Sequence, residues 1–222
     1  MGRIHGTGVF FCIGPYFLGY IMSKLNVAAE RKDQIVRATV ECITQFGYHN
    51  FSMQDVAKIA GVSKGIIHYY FLNKDDLMLS VLDRVASDIE QLIHTDMDSS
   101  NDPQKKLEIF IAICLNVVRR TKEYYQVNMD FWTQINQKEE VRLIIAKHYA
   151  KFRETCARVI EEGMKKNLFR KVDPLAYSAF IISVVDGISL QWLFENSAFD
   201  YDTLARQVTE LIIEGLLPRS KG

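Results

Sequence analysis

Residues 53–70 read MQDVAKIAGVSKGIIHYY, Met53 to Tyr70. The pattern is two short helices meeting at a tight corner. Val56, Ala57 and Ala60 fall on the inward face of the first helix, and Ile67 and Tyr70 on the inward face of the second. The small residue at Ala57 lets the helices cross closely at a steep angle. Gly61 supplies the positive φ that the corner needs, and Val62 follows it. This is the helix-turn-helix pattern, in which the second helix enters the major groove of DNA. Taken alone it is of moderate specificity, because any tight helical corner can imitate it.

Working outward, capping residues mark the helix starts. Ser52 precedes the first helix with Asp55 three residues on, a short-armed capping box. Ser63 opens the second helix, and Asn73 with Asp76 repeats the arrangement for the next. Upstream, Ile35, Thr39, Cys42, Ile43 and Phe46 make one stripe of a helix over Ala28 to Phe46, stopped by Gly47. Downstream, Met78, Leu82, Val85, Ile89 and Leu92 alternate steps of four and three. The polar loop DSSND, Asp98 to Asp102, leads to Pro103 at the first turn of another helix. Leu107, Phe110, Ile111, Cys114, Leu115 and Val118 form that helix's apolar face. Further helices are expected over about 122–136, 138–166, 174–194 and 203–217. The fourth of these downstream segments follows Asp173-Pro174 and is apolar on nearly every side from Ala179 to Phe194, interrupted by Asp186, Gly187 and Gln191. A helix apolar all round must be buried all round. The expectation is an all-α protein of about nine helices. An N-terminal three-helix unit, residues 22–75, leads into a larger bundle, residues 76–222.

Composition narrows the class without naming it. Hydrophobic residues make 48% and charged residues 24%, ordinary for a globular chain. Lys plus Arg and Asp plus Glu are 27 each, so any basic patch must be local. Cys12, Cys42, Cys114 and Cys156 form no CxxC pair and read as free thiols of a reducing cytoplasm. No metal site is expected. Gly8 to Met22 is apolar but short and broken by Pro15, unlike a transmembrane helix. Residues 1–21 are expected to be an upstream extension outside the fold, with Met22 as the functional start; a weak membrane anchor is the alternative. No membrane partner is expected. The sequence holds no GxSxG, HExxH, Walker loop or GxGxxG, and its five histidines are scattered. No enzyme activity and no cofactor is expected.

The stretch GVSKGIIHYYFLNKDDL, Gly61 to Leu77, closely resembles the DNA-binding signature of the TetR family of transcriptional regulators. The resemblance is strong over about Arg31 to Leu82. Phe131-Trp132, Tyr149 to Phe152 and Val185 to Gln191 resemble more weakly the branch that contains the betaine-pathway repressor. The resemblance implies a one-component regulator with a variable helical domain that binds effector and dimerises. It places Gln54, Lys64, Ile66 and His68 where members reach base edges; His68 stands where many members carry tyrosine. The residues suit the work. Ser52 and Ser63 sit at helix N-termini that can hold phosphate. Gly65 lets backbone approach DNA, and Tyr69 can donate to phosphate. Lys64 and Lys74 are cations on a stretch, Lys58 to Lys74, without one acidic residue. Gln54 suits adenine and Ile66 a thymine methyl. Tyr70 and Phe71 read as core.

In the second half, Cys114, Phe131, Trp132, Phe152 and Trp192 are candidates to line a small-molecule effector site, although aromatic stripes are more often plain core. Aromatic faces can hold a quaternary ammonium. Asp186, isolated in an apolar run, must find a partner: a local bond, a dimer contact or a ligand. His148 reads as a hydrogen-bonded, semi-core residue. The functional expectation is a cytoplasmic, ligand-responsive repressor. It would bind a palindrome of double-stranded DNA through residues 63–70, as a homodimer joined by its last two helices. The rival is a helical scaffold or small-molecule binder that no longer reads DNA.

Overall fold

The computed structural model describes residues 15–47, 50–120, 129 and 138–218. Among these the elements are all helical: α1 (Pro15–Phe46), α2 (Met53–Ala60), α3 (Lys64–Tyr70), α4 (Lys74–Met97), α5 (Pro103–Arg120), α6 (Glu139–Lys165), α7 (Pro174–Phe194) and α8 (Tyr201–Leu216). The helix expected over 122–136, with Phe131 and Trp132, lies outside the described residues. α1 begins well before the stripe that starts at Ala28.

The caps are built as the sequence directs. The Ser52 hydroxyl accepts from the Asp55 N–H at 3.3 Å, and the Asp55 carboxylate accepts from the Ser52 N–H at 2.8 Å. Asn73 Oδ1 accepts from the Asp76 N–H at 2.9 Å, but Asp76 reaches back one residue further, to the Leu72 N–H at 3.0 Å. Asp173 and Asp200 cap α7 and α8 in the same way. Gly61 ends α2 in the left-handed region at φ 63°, its N–H turned back to carbonyls of α2.

Two cores divide the molecule and α4 enters both. In the first, Leu77, Met78, Val81 and Leu82 of α4 pack with Ile35, Cys42, Val56, Ile67 and Phe71, joined by Val141 from the start of α6. In the second, Ile93 and Met97 of α4 pack with Leu107, Phe110, Ile160 and Ile181. The α4 stripe ends on buried Ile93, and Leu92 is exposed. A 24-residue helix cannot keep alternating steps of three and four without its apolar line drifting, since a turn is about 3.6 residues.

The end of α6 is fixed by a close approach. Asn167 takes φ 57°, and Leu168 donates to the Gly163 carbonyl at 2.9 Å. That lays the Phe169 ring against Gly163, where a Cβ would meet Phe169 Cδ2 at 2.1 Å. Arg170 then hydrogen-bonds the free carbonyls at the end of α8, through its N–H to Leu216 at 2.7 Å and its Nε to Gly215 at 2.6 Å.

Candidate functional site

α3 has one buried anchor and one open face. Ile67 is fully buried, while Ser63, Lys64, Gly65, Ile66, His68 and Tyr69 are exposed, Tyr69 by 81%. Ser63 Oγ accepts from the Ile66 N–H at 3.3 Å and starts the helix. Gln54 and Ser52 are exposed at the start of α2, beside the same corner. Gly65 is informative because the fold does not require it. A Cβ there would meet only Ser63 Oγ, at an ordinary 3.8 Å. Gly61, by contrast, is demanded by its backbone angle.

Lys74 departs from the expectation. Its ammonium donates to the Phe51 carbonyl at 2.9 Å and lies 3.8 Å from the centre of the Phe51 ring. Burial pushes this ammonium below the usual lysine range. Lys74 therefore ties the start of α4 to the chain entering α2. Phe71 is buried and Tyr70 half-buried, as core residues should be. Two contributions had no legible signal. Gln34 Nε2 of α1 donates to the Ala60 carbonyl at 2.7 Å, and Arg31 orients Gln34 at 2.8 Å, which steadies the end of α2. Leu72, 86% exposed, stands at the rim of the α3 face.

In the second half, Asp186 of α7 has a partner from α6: the Tyr149 hydroxyl donates to Asp186 Oδ2 at 2.9 Å. Burial pushes the Asp186 carboxyl above its usual range, against the opposing effect of the Tyr149 hydrogen bond. Burial likewise pushes the Cys114 thiol of α5 up, with Cys156 and Asp186 adding to the rise. Cys114, Tyr149 and Asp186 thus bring α5, α6 and α7 to one place in the bundle. Phe152 of α6 is half-buried at the margin of the second core. Trp192 lies elsewhere, edge-on to Tyr201 at 5.7 Å, where the end of α7 meets the start of α8. Tyr201 donates to the Leu115 carbonyl at 2.5 Å. Phe131 and Trp132 lie outside the described residues. Tyr149 as the partner of Asp186 was not readable from spacing, since the two are on different helices.

His148 is buried between α4 and α6. Its Nδ1 is 2.7 Å from Glu90 Oε1 and its Nε2 is 3.1 Å from Asp83 Oδ1. Lys151 donates to Glu90 at 2.7 Å and Lys147 to Asp83 at 3.0 Å. Burial alone would raise both carboxyls; the hydrogen bonds from the lysines and His148 overcome it and hold Asp83 and Glu90 below the usual range.

A capped helix-turn-helix with an open second helix, joined by one long helix to a second helical domain, defines the class: a DNA-binding regulator of the one-component kind. The family model for bacterial regulatory proteins of the tetR family matches residues 35–81, and the model for the C-terminal domain of BetI-type transcriptional repressors matches residues 103–218. The chain belongs to the TetR family of transcriptional regulators and carries a BetI-type C-terminal domain. It is 24% identical over 187 residues to a fatty acid metabolism regulator protein of Bacillus subtilis, covering 82% of this chain and 94% of that one. A TetR transcription regulator from Haloarcula marismortui superposes with a TM-score of 0.75 at 22% identity, over 86% of this chain and 100% of that one. A transcriptional regulator from Saccharomonospora viridis in complex with choline gives a TM-score of 0.74 at 22% identity, with the same coverage.

Proposed function

We propose that this regulator is an effector-responsive repressor that binds a palindromic operator as a twofold dimer. The observation that carries the DNA contact is the α3 face, with an exposed glycine the fold does not need and no acid from Lys58 to Lys74. Lys64 and the Ser52 and Ser63 termini are suited to phosphate, and Gln54, Ile66 and His68 to base edges. Lys74 supports the corner from within. A protein that reads DNA acts where the DNA is, in the cytoplasm.

The dimer rests on α7. This helix is long and apolar enough to cross a membrane, with a mean hydropathy of 1.4, yet only 28% of that stretch is buried within one chain. Phe180 and Leu211 are 51% and 66% exposed and flank a groove of roughly 640 Å³ between α7 and α8. A second copy, laying its own α7 and α8 on this face, gives a four-helix interface of the hydrophobic, obligate kind.

The effector belongs among α5, α6 and α7. A carboxylate held by one tyrosine amid apolar side chains suits a cation, and aromatic rings can share the work of binding it. The choline bound by the Saccharomonospora viridis regulator is of that chemistry. The test combines two measurements. Operator selection from random DNA should return palindromes with half-sites about 34–36 Å apart. Quaternary ammonium compounds should then quench Trp192 or Trp132 fluorescence and release that DNA. Retention of every sequence alike would sink the operator reading. Ligands that quench without release would sink the effector reading.

A further inference from the structure

A signal passing between the two halves must cross α4, and His148 is where α6 grips it. The ring is 4% exposed and both of its nitrogens face carboxylates of α4. A carboxylate only accepts hydrogen bonds, and a neutral imidazole has one N–H and one lone pair. A neutral ring can therefore satisfy Glu90 or Asp83 but must turn its lone pair toward the other. Both contacts are hydrogen bonds only when both ring nitrogens carry hydrogen. The charges around the ring are segregated by helix. α4 contributes the acids Asp83 and Glu90, and α6 contributes Lys147 and Lys151, each bonded to one of them. Lys138 and Asp75 repeat the pattern at the first turns of the same two helices, at 2.6 Å. On α7, the nearest acid along α6 is Asp186, which is engaged by Tyr149. On α5, the ionisable group near Asp186 is the Cys114 thiol. From α1, Asp33 pairs with Arg84, the residue after Asp83.

We infer that His148 is a proton-operated latch that positions α4 for operator binding. With both nitrogens protonated it clamps α4 to α6; losing one proton loosens the clamp and lowers operator affinity. The inference rests on the reading above that the effector-free protein is the DNA-binding form. His148 touches neither DNA nor effector, so it is a positioning residue. A buried charge cluster suits this role because losing one member leaves the others unpaired where water cannot replace it. An imidazole is also the side chain whose charge changes within the ordinary range of cell pH.

Glu90→Gln separates the latch from a merely structural histidine. A carboxamide both donates and accepts, so it can satisfy a neutral ring that still donates to Asp83. The variant keeps the clasp while removing its need for the second proton. Operator affinity is measured at constant salt from about pH 6 to about pH 8. His68 lies on the DNA face and titrates alike in both proteins, so the readout is the difference between their profiles. The parent protein should lose about fivefold more affinity than Glu90→Gln over this range, the low end of ordinary coupling. Its melting temperature should also fall more steeply with pH. Parallel profiles would overturn the latch. A second measurement stands apart from DNA and from any folding defect of the variant: ring-nitrogen NMR of His148 in the full-length parent protein. Both nitrogens should be protonated at the acid end of the range and one should lose its proton toward the alkaline end. A ring neutral throughout, or charged throughout, would overturn the latch even if operator binding held. Absence of operator binding at every pH with a titrating ring would instead remove the DNA reading on which the latch's function stands.

Discussion

Lys64 and Lys74 share one acid-free stretch, yet their surroundings assign them different work. The Lys64 ammonium is on the exposed face of α3, while that of Lys74 is turned inward to the Phe51 carbonyl and ring. Lys64→Ala should weaken binding to every DNA sequence and reduce the slope of log affinity against log salt by about one, the loss of one phosphate contact. Lys74→Ala should leave that slope near the parent value and cost about 1–3 kcal/mol of stability, because it strands a carbonyl. Salt titrations and thermal melts of both variants check this. Gly65 poses the converse case. With room for a methyl and a helical backbone, Gly65→Ala should stabilise the protein by up to about 1 kcal/mol. The same methyl stands between backbone and DNA, so affinity should fall while the melting temperature rises. Asp186 adds a pH signature. Its raised pKa means the folded protein holds that proton more tightly than the unfolded chain does. Its contribution is therefore greatest at acid pH and is lost as pH rises from the usual 3.8 through the raised folded value. Asp186→Asn, which keeps an acceptor for Tyr149, should melt higher than the parent at neutral pH and show a flatter melting profile between acid and neutral pH. It should also lose the response to quaternary ammonium effectors.

At the scale of elements, the junctions carry the constraints. α6 ends where it does because Gly163 leaves space for the Phe169 ring, and the chain that follows brings Arg170 to the end of α8. Gly163→Ala should cost about 1–3 kcal/mol by overpacking, read as a lower melting temperature with no change in salt dependence of DNA binding. Nothing in the spacing around Gly163 marks that contact. The elements themselves were far more legible. Ser52, Ser63, Asn73 and Asp173 announced four helix starts, since capping acts between neighbours in sequence. The corner at Gly61 was legible for the same reason, and so were buried Ile67 and Phe71. Contacts between helices distant in sequence were not. Tyr149 to Asp186, Gln34 to Ala60 and Lys74 to Phe51 depend on how helices cross, which periodicity leaves open. Periodicity also misplaced the end of the α4 stripe by one residue, at Leu92 in place of Ile93, where a fixed spacing ran ahead of the true helical turn.

For the whole molecule, α7 decides the assembly. One side is covered within the chain, where Ser178, Ile181, Val185 and Ile188 are buried. The other presents Leu175, Phe180 and, from α8, Leu211 to the surface. Contiguous apolar surface of this kind marks an interface, and a twofold axis needs only one such face. The same geometry links assembly to DNA. Each chain offers a single α3, and two successive major grooves can be read only when two copies are held at a fixed separation. α4 joins α3 to the bundle that sets this separation, so an effector that prefers one arrangement of α5 to α7 shifts operator affinity, and one that binds both arrangements equally does not. Leu211→Glu places a charge in the centre of the face without touching either core, since Leu211 is exposed within one chain. Sedimentation should show monomers, or insoluble chain where the exposed α7 aggregates. A soluble monomer should keep a helical far-ultraviolet spectrum yet lose operator affinity far beyond the effect of Lys64→Ala, because both half-sites then bind independently. A Leu211→Glu protein that sedimented as a dimer would move the interface off α7 and α8.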